Sequence, residues 1–562
     1  MRSSWVIALT LVASALAPSC VIGNFTVDAG SGGTNGNTGG TGGDGLGGNG
    51  GDPGTCKPLV PAKGLIAQVA QGVGPYTLGL PAGAALPDGG HETGRGFTAT
   101  VDGNELTLDA PSTFWGWDEL TVPIDDGCTG TVDLKVRLRI SPTAGGKLED
   151  GADATLSLDA GPISLGSADV DGDGTPDLLI GTPEFDADKG RVAVIFGGAR
   201  LNGALDLDDL GNAQLRGFAI VGQIGDELGT AVAGAGDITC SDHDSMLLGA
   251  PGNSTAYLVD ATGAGDIDLA AADGQVFVMS GNGTSMRTGA AVAGGLDVNG
   301  DAIPDLLIGS PNYSTPNAVG GLATVVFGGF QGCNCEASST CRTSGQDLTD
   351  LNGSSDDLSG FASGNALTGR QVGQNVALLG AVAGNDALAD VGLASTTSFL
   401  LVPGQSDTTA VDVQAGALEL DTGSSVRSAR AGDFDGDEVL DYAYCLTSGG
   451  SLCHVKRGSN APDISFSEFD APPGVAFGGR LNSGTRDDLI LWAGDTAWIV
   501  FGKTSSGTTQ IGFLGSSGYT LEGGSGASLS AWGLGDLDDD GFDDVAIADS
   551  TLGRIYIVKG GP

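Results

Sequence analysis

Basic residues are scarce in this 562-residue chain: 24 Lys and Arg stand against 69 Asp and Glu, for a formal net charge of −45. Such a surface repels phosphate, which excludes a nucleic-acid partner, and it attracts cations. Histidine is scarcer still, with three residues. His243 lies between Asp242 and Asp244, but no G-x-S-x-G turn accompanies it, so it reads as a solvated loop residue rather than a triad member. The Gly-rich runs lack the strand–helix context of a phosphate cradle, which excludes a nucleotide site. The apolar run from Trp5 to Leu16 is too short to cross a membrane stably.

Glycine, in contrast, is abundant at 100 residues. Residues 24–55 are almost wholly Gly, Asn, Thr and Asp. Such a stretch cannot bury enough surface to fold and reads as a flexible tether reaching on the order of 30 Å. Ahead of it, Arg2 and the run from Trp5 to Leu16 have the form of an export signal. Ala17-Pro18-Ser19-Cys20 then resembles a bacterial lipobox, although Pro18 departs from the commonest pattern. The expectation is a lipoprotein signal peptide over 1–20, lipidated Cys20 and a Gly-rich disordered linker over 21–55. The protein is then exported and held at the bacterial cell surface or outer membrane by its lipid alone. An ordinary secretory signal is the alternative.

Nine cysteines fit export, because eight remain after Cys20. Cys445 and Cys453 flank a Gly-rich turn and suggest a hairpin bridge. Cys56 and Cys128 bracket a first domain. Cys333, Cys335 and Cys341 crowd together and leave Cys240 as a fourth partner; with few histidines present, disulfides are favoured over zinc. Residues 56–148 read as a small β-sandwich of immunoglobulin-like or cadherin-like type. The stretch from Thr131 to Ile140 alternates apolar and polar, and Thr98 to Val101 and Glu105 to Leu108 flank an Asp102-Gly103 turn. Phe114-Trp115-Gly116-Trp117 is either an exposed aromatic patch or a packed element, the second being favoured.

From 149 to 562 the chain is repetitive, with a period of roughly 50–85 residues and about four short strands per unit, the grammar of a propeller blade. Four units contain an acidic loop ahead of an apolar strand: DVDGDGTPDLLIG, DVNGDAIPDLLIG, DFDGDEVLDYAY and DLDDDGFDDVAIA. Oxygen side chains fall at loop positions 1, 3, 5 and 9, and the carbonyl at position 7 adds a further donor. The candidate ligands are Asp169, Asp171, Asp173, Thr175 and Asp177; Asp297, Asn299, Asp301, Ile303 and Asp305; Asp433, Asp435, Asp437, Val439 and Asp441; and Asp536, Asp538, Asp540, Phe542 and Asp544. A hard dication such as Ca²⁺ takes six to eight oxygens at about 2.3–2.6 Å. An EF-hand has Glu at position 12 and flanking helices, whereas position 12 here is apolar and the flanks read as strands. About four Ca²⁺ ions are therefore expected. Three further units keep the strands without the loop chemistry: one around Asp237 to Pro251, one ending at Asp390 to Ala394 and one ending at Asp488 to Leu491. Intact and decayed loops alternate, which gives an all-β fold, a seven-bladed β-propeller preceded by the small sandwich.

This pattern resembles the FG-GAP repeats of the integrin α-subunit propeller. The matching residues are Asp169 to Ile180 with Phe196-Gly197-Gly198, Gly249-Ala250-Pro251, Asp297 to Gly309 with Phe327-Gly328-Gly329, and Phe501-Gly502. Ala302 and Glu438 replace the loop glycine and strain or loosen those two loops. The D-x-S-x-S motif of metal-bridged ligand capture is absent. The resemblance implies a calcium-stabilised cell-surface propeller for adhesion or protein recognition, acting as a monomer on a protein or glycan ligand; the alternative is a carbohydrate-binding or hydrolase-associated propeller. Catalysis is not expected. Acids in a spacing repeated four times describe a structural site, not one carboxyl pair in a cleft. Finally, Ala154 to Asp159 occupy the phase of an outer strand and are expected to pair with Arg554 to Val558, joining the two ends of the repeat region.

Overall fold

The computed structural model describes residues 25–26, 65–72, 74–79, 91–92 and 98–561. The last stretch has gaps at 103–104, 110–113, 126–130, 143–144, 199–200, 262–264, 272–275, 282–284, 316–317, 330–345, 349–359, 365–370, 383–387, 397, 407, 409–410, 413–417, 422–425, 448–451 and 459–461. The export signal, Cys20, nearly all of the tether, Cys56, Cys128, Cys333, Cys335 and Cys341 lie outside the described residues. The chain divides into two compact units, 1–144 with 561–562, and 145–560. Composition placed the boundary at 148/149. It falls earlier because Gly146–Lys147 pairs with Leu521 and Glu522 of the second unit.

The first unit contains two four-stranded sheets. One joins Phe25–Thr26, Leu65–Ala70, Thr131–Ser141 and Gly116–Asp125; the other joins Tyr76–Gly79, Glu105–Asp109, Thr98–Asp102 and His91–Glu92. Phe25 and Thr26, assigned to the tether by composition, instead pair with Ala67 and Ile66. The Phe-Thr-Val triplet there is an aromatic and β-branched island in a Gly-rich stretch, and such residues favour extended pairing. Thr98–Asp102 and Glu105–Asp109 form the hairpin that the Asp102-Gly103 turn implies. Trp115 is buried, which settles its packing role.

The second unit is built from seven sheets, each with four antiparallel strands, counted among the described residues; the seventh takes its fourth strand from the start of the unit. The second strands, such as Asp177–Thr182 and Asp305–Ser310, are buried almost throughout, so they read as unbroken apolar runs rather than alternating ones. The first strands, such as Ala231–Gly236 and Ala291–Leu296, are made of small residues because they crowd one another. A Cβ on Gly234 would lie 2.7 Å from the carbonyl oxygen of Ser167 in the neighbouring first strand. In chain order the first strands are Ser164–Ala168, Ala231–Gly236, Ala291–Leu296, Asn375–Leu378, Val426–Gly432, Gly474–Gly479 and Leu529–Gly535. Each lies beside the next, and the last lies beside the first.

Core clusters fill the spaces between successive sheets. Leu179, Val192 and Val194 of the first sheet meet Met246, Leu248 and Tyr257 of the second. The seventh sheet contains both ends of the unit: Ala154–Ser157 pairs antiparallel with Arg554–Val558, with Leu156 opposite Ile555. This is the expected closing strand. Its Ala154 and Leu156 pack with Ile555, Ile557, Leu165 and Ile180.

Six of the seven sheets carry a fifth strand that runs parallel to the outer one. In five of them it comes from the connection between the third and fourth strands of the next sheet; in the sixth it is Gly146–Lys147, which leads into the closing strand of the seventh. Gly203–Asp206 adds to Ala154–Ser157, Ile267–Asp268 to Gly217–Val221, and Gly507–Gln510 to Ile464–Ser467. The fourth sheet, with outer strand Leu418–Asp421, lacks it among the described residues, because only 457–463 separate the third and fourth strands of the sheet that follows. Cys445 and Cys453 face each other across the second and third strands of the fifth sheet and are joined by a disulfide. Cys240 is also disulfide-bonded.

Candidate functional site

Each acidic loop joins the first strand of its sheet to the second, so position 9 is also the residue that opens the second strand. One hydrogen-bond pattern recurs. The position 1 carboxylate accepts from the backbone N–H of position 6: Gly174 to Asp169 at 2.9 Å, Ala302 to Asp297 at 2.8 Å, Glu438 to Asp433 at 3.0 Å and Gly541 to Asp536 at 2.8 Å. The position 5 carboxylates of Asp173, Asp301, Asp437 and Asp540 hold the N–H groups of Thr175, Ile303, Val439 and Phe542. Position 9 is held on both oxygens. Asp177 accepts from Val170 at 2.7 Å and Gly197 at 2.8 Å, and Asp305 from Val298 and Gly328, both at 2.7 Å. Asp441 and Asp544 repeat this with Phe434 and Gly458, and with Leu537 and Gly560.

The glycine after the third strand is dictated by space as well as by its N–H. A Cβ on Gly197 would lie 2.2 Å from the Pro176 carbonyl oxygen. Inside the loops, position 6 turns through positive φ. Gly174 and Gly541 do so freely, at +87° and +93°, while Ala302 and Glu438 are both held at +67°, the strain expected from losing glycine there.

The carboxylates converge. Asp169, Asp171 and Asp177, then Asp433, Asp435 and Asp441, and then Asp536, Asp538 and Asp540 each bring three ligand oxygens within 4.8 Å of one another. In the third loop Asn299 takes the place of the second carboxylate and donates to Asp301. Burial pushes Asp177 and Asp305 up to about 7 and Asp441 up to about 6. Asp171 is raised by burial and then by the charge of Asp173, and Asp435 and Asp536 are raised by burial first. Oδ1 of Asp169, of Asp435 and of Asp538 is buried without a hydrogen-bond partner. Buried acceptors left unmade are destabilising. An oxygen-only donor set with such orphans suits a hard cation, drawn from positions 1, 3, 5 and 9 and the position 7 carbonyl.

Two features were not visible in the spacing. The residue before position 9 ties loop to loop around the unit. Asp244 of the second loop accepts from the Asp169 N–H at 3.1 Å and donates its own N–H to the Asp169 carbonyl at 2.7 Å. Asp487 does the same to Asp433, and Asp543 to Arg480. The signal was the extra acid directly ahead of position 9. Second, the decayed second loop keeps the fold of the intact ones: Asp237 still accepts from Ser241 and Asp242.

His243 is not the solvated residue that its flanking acids suggested. Its Nε2 lies 2.7 Å from Asp260 Oδ1, the side chain is largely buried, and the bond to Asp260 raises its pKa. Ser241 Oγ faces the same nitrogen at 3.3 Å. One nitrogen cannot relay a proton between the two, so this trio is not a nucleophilic triad.

The first strands also border a cavity of about 210 Å³ whose lining includes Ser164, Thr230, Asn375, Arg430 and Trp532. The Arg430 guanidinium stacks 4.4 Å over the Trp532 ring, and burial lowers its pKa to about 10.

A family model described as the FG-GAP repeat matches residues 161–195 and 288–326, so the chain carries FG-GAP repeats at these two places. They cover the first three strands of the first and third sheets, with their acidic loops. A search of curated proteins returns no match. Among solved structures the chain is similar to a crystal structure of BBS1N in complex with ARL6DN, soaked with lead, at 11% identity over 73% of this chain and 97% of that one, with a TM-score of 0.42.

Proposed function

We propose that residues 145–560 form a seven-bladed β-propeller, preceded by a small β-sandwich, and that the propeller is a calcium-stiffened module for protein recognition at the cell surface. The circuit of first strands and the closing sheet shared by the two ends support the blade count. The observation that carries the calcium part is the recurrence of one loop geometry with oxygen donors only on the same turn of alternate sheets, with converging carboxylates and buried orphan oxygens in the first, fifth and seventh. The role is binding, not catalysis. The acids are spent on loop backbone N–H groups and on one another, and the expected chemistry of a bound cation is charge neutralisation of clustered carboxylates. A rigid ring with variable connections then presents a surface to a ligand, as loops on a fixed scaffold do.

Two experiments test this. Calorimetry on the full chain should show Ca²⁺ uptake, and none would end the calcium reading. Affinity capture from native surface extract should retain a protein ligand in Ca²⁺ and lose it in chelator. Capture of glycans instead would favour the carbohydrate-binding alternative. Anchoring is tested separately: Cys20→Ser should move the protein from the membrane to the soluble fraction, and unchanged fractionation refutes Cys20 as the anchor.

A further inference from the structure

In the first and third sheets the residue before the glycine that holds position 9 is Phe196 or Phe327. Each is buried against a second ring, Phe218 or Phe361, at centroid distances of 6.0 and 5.9 Å. In the fifth and seventh sheets the same slot holds Arg457 and Lys559. Both turn into their own loop and meet its position 3 carboxylate. Lys559 Nζ lies 2.8 Å from Asp538 Oδ2, with side chains 1% and 8% exposed. Arg457 Nε lies 3.3 Å from Asp435 Oδ2, with side chains 5% and 6% exposed.

The other two loops differ. Beside the first, Arg216 stands 3.9 Å from Asp171 but is 55% exposed and free to swing into water. Position 3 of the third loop is neutral Asn299, with Phe327 in the slot. A buried cation cannot move away into water as an exposed one can. A dication entering the fifth or seventh loop therefore meets a position 3 ligand whose charge is already matched, with only the orphaned Oδ1 left to offer. Ligand charge count is what sets affinity in oxygen cages.

Building on the calcium reading above, we propose that the four loops fall into two classes. The first binds Ca²⁺ tightly, and the third, one carboxylate short at Asn299, falls with the weaker class. The fifth and seventh carry their own counter-cation and bind it at least about tenfold more weakly.

Equilibrium dialysis of the full chain with radioactive calcium tests this. One tight site and three weaker ones are expected. Lys559→Met and Arg457→Met, which keep the buried chain length and remove the charge, should each move one site into the tight class, giving two in either variant and three in the double variant. Four equal sites in the unaltered protein would overturn the inference while leaving the calcium reading intact, and that result needs no variant to fold. A weak class unchanged in a folded Lys559→Met protein would also overturn it. No uptake at any loop would overturn both.

Discussion

Leu156→Ala should weaken the protein more than any surface change, because Leu156 sits in the strand that joins the two ends of the second unit. Its side chain is fully buried, opposite Ile555 on one side and Leu205 on the other, in the cluster that includes Ile557 and Ile180. Truncating a fully buried leucine removes its transfer free energy and leaves a cavity, together about 2–5 kcal/mol. Against a typical stability of about 5–15 kcal/mol that is a large fraction. The strand is four residues long, Ala154–Ser157, so little else compensates. Urea unfolding followed by tryptophan fluorescence suits the measurement, since Trp532 packs against this same cluster. Ser157→Ala is the matched control. It removes only an exposed hydroxyl bond to the Leu205 carbonyl at 3.1 Å and should change stability by less than about 1 kcal/mol. Equal effects of the two substitutions, or a Leu156→Ala loss below about 1 kcal/mol, would refute the closure argument.

A chain starting at Gly161 should melt well below one starting at Leu148, and equal melting temperatures would count against the same closure. Ala302→Gly and Glu438→Gly should each stabilise by about 0.5–1 kcal/mol by relieving the left-handed backbone, and a loss in both would show that the +67° conformation is not strained. In chelator, stability should fall as pH rises from about 4 to 8. Asp177, Asp305 and Asp441 titrate near 7, 7 and 6 in the folded state, so the fold binds more protons than the unfolded chain across that window and loses this advantage as pH passes those values. Calcium should flatten the profile, and a chelated protein more stable at pH 8 than at pH 5 would contradict it. Gly197→Ala should destabilise, because the new methyl carbon would meet the Pro176 carbonyl oxygen at 2.2 Å; an unchanged melting temperature would mean the loop can back away.

The strands and loops were legible because their chemistry repeats in phase. Small residues mark first strands, unbroken apolar runs mark second strands, and the ligand spacing marks the turn between them. The closing strand was legible for the same reason, since Ala154 to Ser157 carry the phase of an outer strand ahead of the first acidic loop. The fifth strands were not. Gly203–Asp206 or Ile267–Asp268 lie in connections of irregular length and composition, and their pairing is set by the preceding sheet rather than by local pattern. Lys559 and Arg457 were missed because an isolated base after a strand says nothing until the fold brings it to Asp538 or Asp435. His243 was misread because its partner, Asp260, is remote in sequence. The strand at Phe25–Thr26 was hidden by the Gly-rich composition around it.

The borrowed fifth strands have a consequence for crowding. An outer strand with an open hydrogen-bonding edge is a template on which a second molecule can build, and copies packed side by side on one surface would meet edge first. Six sheets hand that edge to a strand borrowed from the chain of the next sheet. Among the described residues the fourth sheet keeps its own, at Leu418–Asp421. That one strand is where two copies could continue a sheet into each other.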